Sequence, residues 1–222
     1  MSVDFEIFNK VHRETLLNYK FKKKFFNKGE ENYKMVLFCG YKNYEKGAIS
    51  ILKAIPYVLE EIKKVYFVFI GPSTIAFNRE LSNILKIEKV KVLNFTPDNL
   101  KGYFDKIKLT AFKEADLFLM PSRSDAFGIA FLEAWSANLP VIGANIGATP
   151  EVINNNSDGL LVEFDNPKDI AEKIIKILTN FKLKKRLAMN GKNKVEKLYT
   201  WDIVAQKTNF LYQKVINSTQ IN

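Results

Sequence analysis

The sequence predicts an α/β fold, a parallel six-stranded sheet with helices on both faces, and three observations carry that expectation. Six short apolar runs lack the in-and-out alternation of a half-exposed sheet, as burial on both faces requires. Longer stretches of helical period separate them, which is how strands joined by crossover helices read. After the sixth run only helical segments follow.

Taken in order, residues 1 to 34 lie outside the alternation and read as a connector with a leading helix, while residues 35 to 222 form one compact unit. The first strand is "MVLFCG", 35 to 40, and a helical period follows over 46 to 63. "YFVFIG", 66 to 71, is the second strand, with a helix over 75 to 86. "VKVLNF", 90 to 95, and a helix over 103 to 115 come next. "LFLMPS", 117 to 122, leads into a helix over 128 to 138, and "PVIGAN", 140 to 145, into a short turn near 149 to 154. "GLLVE", 159 to 163, is the last strand. Asn166 then reads as an N-cap with Pro167 at the first helical position, where its missing N–H costs nothing. Two further helices, near 182 to 198 and 202 to 217, complete the chain.

Composition excludes several classes of function. The 222 residues are 47% hydrophobic and 13% aromatic, enough for one sizeable core. The longest apolar runs fall short of the roughly 20 residues a bilayer-spanning helix needs, and charges occupy the place of a signal peptide's apolar core. A cytoplasmic protein is expected. One cysteine, Cys39, and one histidine, His12, leave neither an internal disulfide nor the soft ligands of a transition-metal site.

The formal charge of +10 asks for an anionic partner. Arginine occurs only at Arg13, Arg79, Arg123 and Arg186, and a basic excess made of lysine argues against nucleic acid, whose readers favour arginine's planar fork. In "YKFKKKFFNK", Tyr19 to Lys28, lysines interleave with aromatics as in helices that dock on a membrane surface. The same stretch also fits a solvated helix whose phenylalanines pack on the core.

Ligands of an open parallel sheet bind beyond the carboxyl ends of its strands, where helix N-termini present free N–H groups and partial positive charge. The first strand ends there in "CGYKNYEKGA", with Gly40 for close backbone approach and Lys46 and Gly47 at the helix start, a plausible phosphate site. Its spacing fits neither G-x-x-x-x-G-K-[ST] nor G-x-G-x-x-G. The fourth strand ends in "MPSRSDAFGIAFLEAW", with Asp125 in the loop, Gly128 and Ile129 at the helix start and Glu133 one to two turns inside. Amides of Phe127 to Ile129 facing a phosphate, with a carboxylate on either side gripping hydroxyls, describe a nucleotide-sugar pocket. Asp125 as a capping residue and Glu133 as a partner of the helix dipole describe the segment equally well.

The stretch "PSRSDAFGIAFLEAWSANLPVIGANIGATPEVINNNSDGLLVEFDNPKDIAEKI" resembles the donor-binding half of a family 4 (group 1) glycosyltransferase of the GT-B fold, whose hallmark is an acid, seven residues, then Glu. "KGA", "VFIGP", "FKEADLFLMPS" and "YTWDIVAQKTNFLYQKV" sit where that family has them, and "VDFEIF" is similar to its inter-domain junction. The resemblance implies a Rossmann-like C-terminal half of a GT-B enzyme, 1 to 34 being the inter-domain connector. It gives Lys46 to the donor diphosphate beside the Gly40 loop, the amides of Phe127, Gly128 and Ile129 to the same phosphates, Asp125 to the transferred sugar and Glu133 to the ribose. The base would lie by Phe95, Thr96 and Pro97. Lys46 and Asp125 would carry the catalysis. The implied activity is retaining hexose transfer from a UDP-, GDP- or ADP-sugar, with no metal or cofactor. An N-terminal acceptor domain would complete the cleft, in cis or as a separate chain, and this half alone is expected to be nearly inactive.

Two departures bear on the site. Tyr41 stands where the family usually has Arg, leaving Lys42 as the nearby replacement, and the first hallmark acid is Asp rather than Glu. They keep open a non-catalytic module that binds nucleotides or proteins. Asn138 and Ala148 replace glycines usual in the family.

Overall fold

The computed structural model describes residues 2–10, 20–125 and 127–219, so His12, Arg13, Tyr19 and Ala126 lie outside the described residues. Six strands, β1 (Lys34–Cys39), β2 (Val65–Ile70), β3 (Val92–Phe95), β4 (Leu117–Met120), β5 (Val141–Ala144) and β6 (Gly159–Val162), pair in parallel in the order β3-β2-β1-β4-β5-β6. All six match the apolar runs. Their residues are buried almost without interruption in β1, β2, β4 and β5. Chain order runs outward from β1 on one side and from β4 on the other. With right-handed crossovers that reversal puts helices on both faces and opens a crevice between the carboxyl ends of β1 and β4.

The helices are α1 (Phe5–Lys10), α2 (Phe21–Phe25), α3 (Ala48–Glu61), α4 (Ile75–Ile84), α5 (Lys106–Glu114), α6 (Ile129–Ser136), α7 (Thr149–Val152), α8 (Pro167–Thr179), α9 (Phe181–Leu198) and α10 (Trp201–Thr219). α3 packs against α4 and α8, while α6 packs against α9, with α1 lying on α5 and α6. Asn166 caps α8 as expected, accepting from the Asp169 amide at 3.1 Å. No helix of the described residues is long and apolar enough to cross a membrane.

Two helices start two or three residues later than their periodicity suggests, and each delay matters at the carboxyl edge. α3 starts at Ala48 because Gly47 takes a left-handed φ of 72°, where a Cβ would lie 2.3 Å from the Pro121 carbonyl oxygen. The loop after β1 is thereby pressed onto the loop after β4. α5 starts at Lys106 because Asp105 caps it, accepting from the Ile107 amide at 2.6 Å. Residues 100 to 105 are left as a loop that carries Tyr103.

The leading segment is more than a connector. Val3 pairs with Thr200 and donates to the Tyr199 carbonyl at 3.0 Å, and Phe8 is buried against Phe112. The Glu114 carboxylate accepts from the amides of Phe21 and Lys22 at 2.8 and 2.9 Å, closing the N-terminus of α2. Phe21 and Phe26 are buried, and the Phe21 and Phe25 rings pack edge-on against Phe95. Of the two readings of Tyr19 to Lys28, the described part, from Lys20 on, fits the one in which the phenylalanines pack on the core. Its phenylalanines turn to the core, and Lys22 is spent on the Tyr33 carbonyl and Asp116.

Candidate functional site

The crevice is walled by loops stitched together through their backbones. The Arg123 amide donates to the Glu45 carbonyl at 2.8 Å, and the Ser122 hydroxyl bridges the carbonyls of Glu45 and Ser124. Asn43 orders the β1–α3 loop by accepting from the Lys46 amide at 2.8 Å. Gly71 lets the β2–α4 loop approach, since a Cβ there would lie 2.1 Å from the Gly40 carbonyl oxygen.

On this frame Lys46 and Asp125 meet. The Lys46 ammonium lies 2.7 Å from Asp125 Oδ2 and 3.1 Å from the Ser124 carbonyl. Asp125 Oδ1 accepts from the amides of Phe127 and Gly128 at 3.2 and 2.6 Å. One carboxylate thus ties the ammonium of the first loop to the amides that precede α6. Burial works against its charge, but the bonds from Lys46 and from the Gly128 amide prevail and hold the Asp125 carboxyl below its ordinary range. Gly128, at a left-handed φ of 73°, turns the chain into α6. Ile129 is the first residue of that helix, where an amide has no intrahelical acceptor. The crevice therefore holds a cation and a helix start, with a carboxylate occupying the ground an anion would take.

Glu133 lies one turn inside α6 and is 2% exposed. Its Oε1 accepts from Lys108 Nζ at 2.8 Å and from the Tyr103 hydroxyl. The Tyr103 ring covers the ammonium at 3.6 Å from its centroid. Burial, then the neighbouring Glu133 charge, push the Tyr103 hydroxyl well above its usual range. Glu133 also lines a cavity of about 230 Å3 shared with the leading segment and Trp201.

The other expected residues fall in different places. Lys42 is a correction. Its side chain is buried and turns to the end of β3, donating to Asn94 Oδ1 and, at 2.9 Å, to the Phe95 carbonyl. An ammonium committed to that strand does not replace a phosphate-facing arginine. Burial lowers its pKa to about 8. Tyr41 is half-exposed at the rim. The Phe95 side chain packs inward, while its carbonyl also accepts from the Gly71 amide. Thr96 stands at the surface, its amide held by Asn99 Oδ1 at 2.8 Å ahead of the single turn Pro97–Asn99. Cys39 ends β1 partly buried, its thiol pushed up to about 12 by burial.

Sequence reasoning missed Tyr103 and Lys108. A lysine on the apolar side of a short helix, with Asp105 as a cap shortening that helix, was the available signal.

Comparisons with known proteins agree on one family. The profile described as Glycosyl transferases group 1 matches residues 20–194. An uncharacterized glycosyltransferase of Methanocaldococcus jannaschii is 30% identical over 186 residues, covering 83% of this chain and 46% of that protein. The crystal structure of the C-terminal domain of a glycosyl transferase group 1 family protein, LpcC, from Francisella tularensis aligns with a TM-score of 0.71 at 25% identity, over 90% of this chain and 99% of that one. Anabaena HepE, in complex with UDP and glucose, aligns with a TM-score of 0.74 at 16% identity, over 95% of this chain and 55% of its own, a likeness of fold. The chain spans about half the length of the curated relatives it matches.

Proposed function

Because the chain belongs to the group 1 glycosyltransferases, we propose that it is the donor-binding half of a GT-B enzyme of family 4. In this reading it takes a UDP-, GDP- or ADP-sugar and transfers the hexose with retention of configuration and without a metal ion. An acceptor-binding domain, in cis or on a separate chain, closes the other side of the crevice.

One observation carries the reading: Lys46 and the amides before α6 converge on a single carboxylate oxyanion at the switch point of the sheet. Groups that hold one oxyanion hold another. A donor diphosphate entering the crevice competes with Asp125 for the Lys46 ammonium and the amides of Phe127 and Gly128. The displaced carboxylate is then free to accept from hydroxyls of the sugar. As the bond to the sugar breaks, charge grows on the leaving phosphate oxygen. Preorganised donors stabilise that charge more in the transition state than in the ground state. The solved complex of HepE with UDP-glucose supports a nucleotide-sugar as the ligand.

A non-catalytic binding module is the second reading, favoured by Tyr41 at the rim and by Asp125 satisfying these donors itself.

A thermal-shift assay with UDP-, GDP- and ADP-glucose tests the proposal. A donor at 100 times its Kd adds about 2.7 kcal/mol, several degrees for a chain this size. One donor should raise the Tm, and Lys46→Ala should abolish the rise. No rise with any donor, or an equal rise in Lys46→Ala, would sink the proposal. Transfer to an acceptor once the other half is supplied separates the enzyme from the binding module.

A further inference from the structure

We infer that Lys108 is a positioning residue that acts through Glu133, making the cavity beside α6 selective for a ligand bearing ribose hydroxyls. The inference rests on the reading of the crevice as a nucleotide-sugar site.

Lys108 and Glu133 are 5% and 2% exposed and come from different helices, α5 and α6, so their ion pair fixes one helix against the other. The ammonium sits among aromatic faces, 3.6 Å from the Tyr103 ring centroid, 5.5 Å from Phe8 and 5.8 Å from Phe112. In those surroundings its one carboxylate partner is Glu133, and the two lock each other's rotamers.

Both donors to Glu133 converge on one oxygen. Lys108 Nζ and the Tyr103 hydroxyl bond to Oε1, and no described residue bonds to Oε2. Among the described residues the sealed side-chain polar atoms without a partner are Ser2 Oγ and Ser73 Oγ; Oε2 is not one of them and stays accessible, and Glu133 lines the cavity. Ser2, 6% exposed, stands in the wall of that same cavity, which Asp4, Tyr103, Ile129 and Trp201 also line. Glu133 Oε2, to which no described residue donates, is the carboxylate oxygen left for a ligand in that space, whereas Ser2 Oγ is sealed in the wall. A ligand hydroxyl donating to Oε2 satisfies it. Lys108 touches no ligand in this arrangement. It decides which oxygen of Glu133 remains to accept.

Isothermal titration of the chain with UDP, GDP and ADP, each against its 2′,3′-dideoxy form, tests this. The wild-type chain should prefer the ribose form by about tenfold or more, the worth of a hydrogen bond to a charged group. Glu133→Gln and Lys108→Met should bring the preference within about twofold. Tyr103→Phe, altered on an exposed loop, should fall between, and it decides the matter if Lys108→Met does not fold. Equal weakening of both forms in Lys108→Met, with the ratio intact, means a merely structural role and overturns the inference. A ratio lost in Glu133→Gln but kept in Lys108→Met and Tyr103→Phe overturns it while the nucleotide reading stands. A ratio kept in Glu133→Gln, or no binding of any nucleotide, brings down that reading of Glu133 and the inference with it.

Discussion

Lys42 and Lys46 lie four positions apart on one loop, yet they face different chemistry. Lys46 reaches the crevice, whereas Lys42 is folded under it and ends on two oxygens of β3. Burial holds the Lys42 pKa near 8, below its value of about 10.4 in an unfolded chain. Between those values the unfolded chain binds a proton that the folded chain has released. Lys42 therefore makes stability rise with pH across that window, by up to about 1.4 kcal/mol per unit. Cys39 opposes it, because a thiol raised to about 12 by burial stays protonated when the unfolded thiol has ionised. The effect is best read as a difference. Urea titrations from pH 7.5 to 10 should show wild type gaining stability relative to Lys42→Met as pH rises. A difference that is flat with pH would mean that the ammonium is not buried as described. The roles of these two lysines were only half legible in the sequence. The Gly-Lys spacing singled out the loop that borders the crevice, but nothing in "GYKNYEK" says which lysine the loop swallows. The engagement of Asp125 was visible as a capping possibility. Its pairing with Lys46 was not, because the two stand 79 positions apart.

At the scale of elements, Asp116 does more than its place before β4 suggests. Its carboxylate accepts from the Met35 amide at 3.0 Å and from Lys22 at 3.2 Å, pairs with Lys184 and lies 3.9 Å from Lys34. α2, β1 and α9 are thus tied to one point. Burial opposes its charge, but Lys184 and Lys22 prevail and keep the carboxyl below its ordinary range. Replacing one member of a buried cluster leaves the others unpaired. Asp116→Ala should cost about 2 to 3 kcal/mol in urea unfolding at pH 7, the lysines' partial exposure keeping it below a fully buried case. A loss under about 0.5 kcal/mol would show that the hydrophobic contacts of α2 and α9 suffice. The strands were legible because burial on both faces leaves an unbroken apolar run, and Asn166-Pro167 announced α8 through capping chemistry alone. Helix starts at Gly47 and Asp105 were not, since they depend on a carbonyl of Pro121 and on a cap that periodicity ignores. The docking of 20 to 33 was legible in its phenylalanines but not in its cap, because Glu114, which closes α2, lies more than ninety residues away.

For the molecule as a whole, the same carboxylates set its response to acid. Glu30 joins Asp116 and Asp125, its carboxyl lowered first by the Tyr66 hydroxyl and then, against burial, by Lys91. Each has a folded pKa below its unfolded one. Each therefore contributes stability that is complete above about pH 5 and is lost progressively as pH falls through the unfolded and then the folded value. A diffuse effect adds to this, because protonating the 24 acidic side chains leaves 34 lysine and arginine charges unopposed. The two contributions differ in their response to salt. Diffuse repulsion is screened beyond about 10 Å at 0.1 M, whereas a buried pair in contact is screened little. The Tm measured from pH 6 to 3 should fall steeply below about pH 4.5, and about 0.3 M potassium chloride should restore only part of the loss. Asp116→Ala, having no carboxylate to protonate there, should start lower and fall less. Full recovery in salt would assign acid sensitivity to net charge alone and remove the three carboxylates from the account. A fall as steep in Asp116→Ala as in wild type would remove Asp116 and leave Asp125 and Glu30 to explain it.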